Sequence, residues 1–270
     1  MTESKPIIMD LIAEGDELDR LLRDLDDAGW RTPTPAPGWT VAHQVAHLAA
    51  TFRMAALAVA APDRFTAMTA QLGPNFTANV DHALAEFVAE PPAALFSRWR
   101  AERARTEQAL ASVSADLIVP WLVRPLPASV LAAAGMMELF GHGQDIADAL
   151  GHQRRYTDRI GHLVAFGVRT WDFGYATHGL TVPAEPMHFA LRAPSGTLWE
   201  FGPADAQQRV SGPAADFCLL VTRRRHRDDL ALRAEGDEAD RWLSIAQAYR
   251  GPAGEGRRPG QFATAAEPVR

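Results

Sequence analysis

Hydrophobic positions in the first 150 residues recur at the spacing of α-helices. Between residues 6 and 28, apolar side chains are spaced by three, four and seven positions, which predicts an amphipathic helix. A second helix is predicted from a capping threonine, Thr40, to about Ala60. A third follows the Pro91-Pro92 pair and a fourth starts near Ser129. Long helices with mixed connections are typical of a helical bundle.

Two segments interrupt these helices. Residues 61–91 are predicted to form a shorter helical insertion, broken near Gly73 and Pro74. Residues 120–127 contain closely spaced prolines, which cannot continue a helix and restrict the residues before them. We therefore expect an extended connector before the fourth helix.

The pattern changes after Tyr156. One more helix is predicted over about residues 157–177, followed by strand-like segments MHFALRA and TLWEFG joined by a PSG turn. A helix DFCLLVTRR, a short strand LALRAEG and a helix ADRWLSIAQAY complete an α+β pattern. The last twenty residues are rich in Gly, Pro and charge without periodicity. The predicted organisation is a helical domain over 1–152, an α+β domain over 153–250 and a flexible tail over 251–270.

Composition narrows the class of protein. With 270 residues, of which 47% are hydrophobic, the chain is long enough for a large core and two domains. The net charge of −6 and the shortness of the basic run at 223–227 argue against nucleic acid as the partner. A single cysteine excludes an internal disulfide, and neither a secretory signal nor a membrane-spanning apolar run is visible. A cytoplasmic protein without a membrane partner is expected.

The fourth predicted helix carries polar groups inside an apolar sequence. Steps of four and three residues place Glu138, His142 and Asp145 on one side of this helix. Apolar neighbours indicate that this side faces the interior, where carboxylates and imidazoles need a partner such as a divalent metal. A metal site requires at least one more ligand from elsewhere. His43 and His47 lie four residues apart on the second helix, so inward polar groups on two helices favour a metal site in the bundle core.

The motifs WTVAHQVAHL and ELFGHGQDIADALG together resemble the DinB-like metal-binding family, in its actinobacterial, mycothiol-dependent maleylpyruvate isomerase branch. The segment SGPAADFCLLVTRRR resembles the sterol-carrier-like second domain of that branch. The resemblance covers about residues 8–250. It implies a DinB-like four-helix bundle followed by a smaller α+β sterol-carrier-like domain.

The resemblance also implies a ligand set. Matched position by position, His47, Glu138 and His142 would bind one divalent metal, with zinc expected first and nickel or another ion as the alternative. Two histidines and a glutamate leave an open coordination position, which is typical of a catalytic zinc. A thiol bound there is deprotonated at neutral pH. In the family this thiol belongs to the cosubstrate mycothiol; Cys218 lies in an apolar run, and we expect it to serve packing.

An arginine from the second domain is implied as well. The family carries it at the end of a T-G-R motif that reaches over the site, and this chain has Thr222-Arg223-Arg224 at that place. Arg224 is the expected catalytic equivalent, and Arg223 is assigned to cofactor binding. The missing glycine leaves Arg223 as the alternative for the family arginine. The run 223–227 either holds a carboxylated substrate or cosubstrate through bidentate contacts, or is a solvated helix end favoured by the helix dipole.

Two further residues are candidates. His43 is assigned to cofactor binding. It would either support a metal-ligand side chain or contact the substrate, and the alternative is a solvated helix histidine. Asp145 is assigned to catalysis. It would orient a ligand imidazole or contact the cosubstrate, and the alternative is pairing with charge near Arg154.

These features together predict a metal-dependent, mycothiol-using thiol transferase or isomerase. It would act on an electrophilic small molecule, in detoxification, aromatic degradation or natural-product biosynthesis, as a monomer or homodimer. One alternative is a hydrolase or lyase whose metal binds water and uses no thiol. The other is a small-molecule binding module without turnover, because a fold does not guarantee chemistry.

Overall fold

The protein is described here by a computed structural model covering residues 4–122 and 124–262. The chain divides into two compact units, Met1–Arg155 and Tyr156–Arg270. Within the described residues, no helix is both long and apolar enough to cross a membrane.

The first unit is helical. Its helices are α1 (Ser4–Leu22), α2 (Asp27–Trp30), α3 (Val41–Ala60), α4 (Pro62–Thr69), α5 (Phe76–Val88), α6 (Pro92–Ala111) and α7 (Ala128–Ala149). Helices α1, α3, α6 and α7 are the long ones and pack on one another. They correspond to the four predicted helices, and the helical bundle is confirmed.

Helix α3 shows how the sequence builds this bundle. Thr40 stands before it in an extended conformation, with φ −98° and ψ 175°. Val41, Val45, Leu48 and Phe52 are buried on one side, because steps of four and three return to the same face. This face contacts α6 and α7, so the polar positions beside it are held at fixed places in the bundle.

One predicted helix of this unit is corrected, and the helical insertion with its break near Gly73 and Pro74 is confirmed. The helix predicted over residues 6–28 is wrong beyond residue 22, because the chain turns there and restarts in α2, capped by the Asp26 side chain. The insertion at 61–91 forms α4 and α5. A short strand precedes the connector, β1 (Ile118–Val119), and pairs with a second at its end, β2 (Leu126–Pro127). Trp121 stacks on Phe65 of α4 at 5.6 Å between ring centroids.

The second unit is a four-stranded sheet with helices. Its elements are α8 (Gly161–Arg169), α9 (Phe173–Thr177), β3 (Met187–Arg192), β4 (Leu198–Phe201), β5 (Gln208–Pro213), α10 (Ala214–Val221), β6 (Arg233–Glu235) and α11 (Asp237–Ile245). The strand order is β4-β3-β5-β6; β3 runs antiparallel to β4 and parallel to β5, and β5 is antiparallel to β6. The predicted α+β class is confirmed.

Aromatic residues form the core between this sheet and its helices. Phe189 of β3 lies 5.7 Å from Phe217 of α10 and 5.3 Å from Trp242 of α11, measured between ring centroids. All three side chains are fully buried. Edge-to-face contacts of this kind stabilise a core beyond the area that they bury.

Two predictions for this unit are corrected. The single helix over about 157–177 is wrong, since the chain forms a short 3₁₀ turn at Asp158–Ile160 and then α8 and α9. Strand β5 was not predicted, although it lies between β3 and β6. Part of the predicted tail is also packed. The Gly260 N–H donates to Asp229 Oδ1 at 2.7 Å, and residues 263–270 lie outside the described residues.

Candidate metal centre

Helices α3 and α7 bring three ligand-type side chains to one point. Glu138 Oε2 lies 3.4 Å from His47 Nε2 and 3.2 Å from His142 Nε2. One donor atom from each of the three residues lies within 4.8 Å of the others. Their side chains are 13–20% exposed, so the point is sheltered but open to a small molecule.

The three donors fit a small divalent ion. Zinc binds imidazole nitrogen and carboxylate oxygen at about 2.0–2.2 Å, and the edge of a tetrahedron with arms of that length is roughly 3.3–3.6 Å. The two distances to Glu138 Oε2 are close to that edge. Three protein donors also leave a fourth position for an exogenous ligand. His47, Glu138 and His142 would therefore hold the ion, with nitrogen and oxygen donors of the type that zinc accepts.

The carboxylate is strongly stabilised in its charged form. Burial raises the pKa of Glu138, but hydrogen bonds and positive charge from His142 and His47 outweigh burial and hold the pKa well below its usual range. The group is thus an anion wherever the protein is folded at neutral pH. A cation bound between the three side chains would therefore contact the negatively charged carboxylate of Glu138.

Trp39 lies against the ligand histidines. Its ring centroid is 5.4 Å from that of His47 and 6.0 Å from that of His142, and the second pair is stacked at 21°. The residue stands in the loop just before α3, where Thr34 N–H donates to the Trp39 carbonyl at 2.8 Å. The indole forms an apolar wall beside the two imidazoles.

Gln44 is a site residue that sequence reasoning missed. It is fully buried on α3, and its Oε1 lies 2.5 Å from His142 Nδ1. Its Nε2 donates to Thr34 Oγ1 at 2.8 Å and to Asp145 Oδ2 at 3.5 Å. The available signal was a glutamine on the apolar face of a helix, three residues before a ligand histidine.

The structure specifies the surroundings of Asp145. The residue is 1% exposed, and its Oδ2 accepts from the Gln44 amide at 3.5 Å. The Arg154 guanidinium pairs with Glu14 and donates to the Phe140 carbonyl at 3.1 Å. Asp145 and His142 therefore both contact the Gln44 side chain. The assignment of Asp145 to catalysis stays a prediction.

His43 is part of the cap of α3. Its Nδ1 accepts from the Thr40 backbone N–H at 3.3 Å and lies 2.8 Å from Thr40 Oγ1. With Nδ1 engaged on the cap, Nε2 is the ring atom that remains for a cofactor contact. The assignment of His43 to cofactor binding stays a prediction.

The two candidate arginines follow the end of α10, in the second unit. Arg223 N–H donates to the Leu220 carbonyl and Arg224 N–H to the Leu219 carbonyl, both at 2.8 Å, which is the hydrogen-bond pattern of a Schellman cap. Arg223 has φ +58°, the left-handed conformation in which glycine is favoured at this cap position. An arginine thus occupies a backbone conformation that favours glycine. The assignment of Arg224 to catalysis, with Arg223 as the alternative, stays a prediction.

Comparison with known proteins places this site in a family context. A family model described as mycothiol maleylpyruvate isomerase N-terminal domain matches residues 11–147, which include all three donors. A second model, described as wyosine base formation, matches residues 183–235.

Relatives and solved structures extend the comparison to most of the chain. Uncharacterized proteins from two strains of Mycobacterium tuberculosis are 44% identical over 257 residues, covering 95% of this chain and 100% of theirs. Crystal structures of the mycothiol-dependent maleylpyruvate isomerase and of a mutant of it superpose with a TM-score of 0.54 at 19% identity. They cover 80% of this chain and 88% of the solved chain, and at this identity they establish a shared fold. The chain belongs to the mycothiol maleylpyruvate isomerase N-terminal domain family.

Proposed function

We propose that this protein is a metal-dependent enzyme that uses mycothiol to isomerise or conjugate an electrophilic small molecule. The observation that carries the proposal is the convergence of His47, Glu138 and His142 on one point of a family bundle. The solved structures that share its fold are of one enzyme, a mycothiol-dependent maleylpyruvate isomerase, and of its mutant, which supports mycothiol as the thiol.

The proposed roles follow from the donor set. His47, Glu138 and His142 would hold a divalent ion, for which zinc is the first candidate. Such an ion, when bound, supplies Lewis acidity that lowers the pKa of a thiol or water at the open position. Trp39 shields the same point from bulk water, because its ring lies over both imidazoles.

The thiol must come from outside the protein. Cys218 is fully buried in α10 and its Sγ faces the Ile160 carbonyl at 3.9 Å. A thiol in that position cannot reach a substrate, which supports an exogenous thiol as the nucleophile.

The covalent step is the same for both reactions at its start. The thiolate of mycothiol gives its electron pair to an electrophilic carbon, and a sulfur–carbon bond forms. In an activated alkene the π bond breaks and its electron pair moves to the activating group, and in an alkyl halide the halide leaves with the bonding pair. In an isomerisation the former double bond rotates as a single bond, the electron pair returns to re-form the π bond, and the thiolate leaves. In a transfer the sulfur–carbon bond persists, and the thiol proton ends on the neighbouring carbon of an alkene adduct or in solvent beside the halide.

We further propose that Arg224 binds an anionic group of the substrate or cosubstrate. A guanidinium recognises a carboxylate through paired N–H donors. The cap geometry at Arg223 supports Arg224, rather than Arg223, as the arginine in the third place of the motif.

A turnover screen tests this function. Zinc-loaded protein is incubated with mycothiol and a panel of activated alkenes and alkyl halides, and isomers and conjugates are followed by mass spectrometry. We expect turnover with mycothiol and none with glutathione, loss of turnover in His142→Ala, and a raised KM in Arg224→Ala. Turnover that is unchanged without any thiol would favour the hydrolase or lyase, and binding of both ligands without turnover would favour a binding module.

A further inference from the structure

Gln44 connects the metal centre to a loop and to the neighbouring helix. Its side chain is fully buried and meets three polar groups, namely His142 Nδ1 at 2.5 Å, Thr34 Oγ1 at 2.8 Å and Asp145 Oδ2 at 3.5 Å. Thr34 precedes α3, and the other two partners lie on α7. A buried amide with partners on both ends has little freedom to rotate.

The partners of the nitrogen end fix the orientation of the amide. The Gln44 NH₂ group donates to a carboxylate oxygen of Asp145. The Thr34 hydroxyl donates its proton to the Trp39 carbonyl at 2.9 Å, and its oxygen is therefore left to accept from the same NH₂ group. Both contacts turn Gln44 Oε1 toward His142.

The amide orientation then fixes the tautomer of His142. An amide oxygen only accepts, so the proton of this hydrogen bond belongs to His142 Nδ1. When the ring is neutral, as a metal ligand must be, its lone pair is therefore on Nε2, the atom that lies 3.2 Å from Glu138 Oε2. This is the atom that a metal at the three-donor point requires.

We propose that Gln44 is a positioning residue that presents His142 to the metal with Nε2 as donor, and that Thr34 and Asp145 hold Gln44 in place. The inference rests on the metal centre of the proposed function. The group that accepts a hydrogen bond from His142 Nδ1 is a neutral amide, that of Gln44. The carboxylate of Asp145 in turn accepts a hydrogen bond from this amide. Loss of such a partner lowers metal affinity about 10–100-fold in other metal sites.

The first test is Gln44→Met, which keeps the length of the side chain and removes both ends of the amide. Zinc and cobalt affinities are measured by competition with a chelator, on full-length protein whose folding is checked by circular dichroism. We expect affinity to fall at least roughly tenfold. The matched control is Gln247→Met, because Gln247 is also a buried glutamine, lies in the second unit and donates to the Tyr249 and Gly251 carbonyls.

The second test moves the carboxylate along the chain of hydrogen bonds. In the double variant Gln44→Glu, Asp145→Asn, a glutamate accepts from His142 Nδ1–H and an asparagine amide donates to that glutamate. We expect at least a tenfold recovery of affinity relative to Gln44→Met. In zinc-loaded wild-type protein, nitrogen-15 spectra should show the proton of His142 on Nδ1, in slow exchange with water, and in Gln44→Met this proton should exchange fast.

The outcomes separate this inference from the function on which it rests. Wild-type affinity in Gln44→Met, or an equal loss in Gln247→Met, would overturn the positioning role and leave the metal centre standing. Wild-type protein that binds no zinc or cobalt at His142 would overturn the metal centre itself, and with it the role of Gln44.

Discussion

At the scale of single residues, Glu138 is the centre of the candidate site. Its Oε2 is close to both ligand histidines, and their hydrogen bonds and charge hold the pKa of its carboxyl low despite burial. Its negative charge has to be balanced, either by protonated histidines or by a cation. A metal that binds here replaces those protons.

We therefore predict about one divalent ion per chain in protein purified without chelator. His47→Ala, Glu138→Ala and His142→Ala should each lower the occupancy several-fold, because two remaining donors bind a metal weakly. Elemental analysis by mass spectrometry measures the occupancy. His82→Ala is the control, since this histidine is exposed on α5 and should leave the occupancy unchanged. Full occupancy retained in a His47→Ala, His142→Ala double variant would refute the ligand assignment.

Arg223 is a second residue with a specific physical prediction. A non-glycine residue in the left-handed conformation costs about 1–2 kcal/mol, and Arg223 has φ +58°. Arg223→Gly should remove this strain while making the unfolded chain more flexible, so we expect a net gain of up to about 1 kcal/mol in the free energy of unfolding.

Urea denaturation of the full chain measures this change. Arg225→Gly is the matched control, because Arg225 does not have a positive φ and its guanidinium lies 3.8 Å from the Phe262 ring centroid. The control should lose stability. Equal losses in the two variants would show that the conformation at Arg223 carries no strain.

The sequence predicts the three metal-donor residues but not the residues that hydrogen-bond to them. His47, Glu138 and His142 are residues with ligand chemistry in two short motifs, and the structure brings them together. Gln44 has no ligand chemistry, and its role depends on Thr34, which a loop folds back onto α3. Contacts between a loop and a helix have no period in the sequence, so this partner could not be predicted.

At the scale of elements, the backbones of α9 and α11 approach each other closely. A Cβ atom on Gly174 of α9 would lie 2.2 Å from the carbonyl oxygen of Ile245, at the end of α11. A backbone atom cannot move aside as a side chain can. The glycine is therefore required by packing.

Gly174→Ala should lower the free energy of unfolding by about 1–3 kcal/mol or more, as overpacking does in buried cores. Thermal and urea denaturation of the full chain measure this loss. Gly73→Ala is the control, since its added methyl group would meet only Asn79 Oδ1, at 3.8 Å. Unchanged stability in Gly174→Ala would mean that α9 and α11 shift apart at little cost.

Elements whose apolar residues recur at a regular spacing could be predicted from the sequence. Elements that depend on contacts with other elements could not. The long helices have apolar faces at helical spacing, so both ends of α3 and the start of α7 were predicted within a residue or two. Strand β5 reads QRVSGP, and among its residues Val210 alone is buried. Its place in the sheet comes from pairing with β3 and β6 rather than from an alternating pattern. The break between α8 and α9 depends likewise on tertiary contacts, such as the Trp242 indole donating to the Trp171 carbonyl.

At the scale of the whole molecule, the chain joins a helical unit of the mycothiol maleylpyruvate isomerase family to an α+β unit. The three donors lie in the first unit, and the arginine proposed to bind an anionic group, Arg224, lies in the second. We therefore propose that the first unit binds the metal and that the second contributes a charged group to ligand binding. Whether a thiol binds at the metal decides between the proposed thiol-using enzyme and the hydrolase or lyase.

The most direct measurement is titration of cobalt-substituted protein with mycothiol, followed by absorption spectroscopy and by calorimetry in two buffers of different ionisation enthalpy. A free thiol is mostly protonated at neutral pH, so binding as a thiolate must release a proton. We predict a sulfur-to-cobalt charge-transfer band together with a buffer-dependent heat, and their loss in His142→Ala. Absence of binding at millimolar mycothiol, or binding without either signal, would contradict thiol activation at this centre.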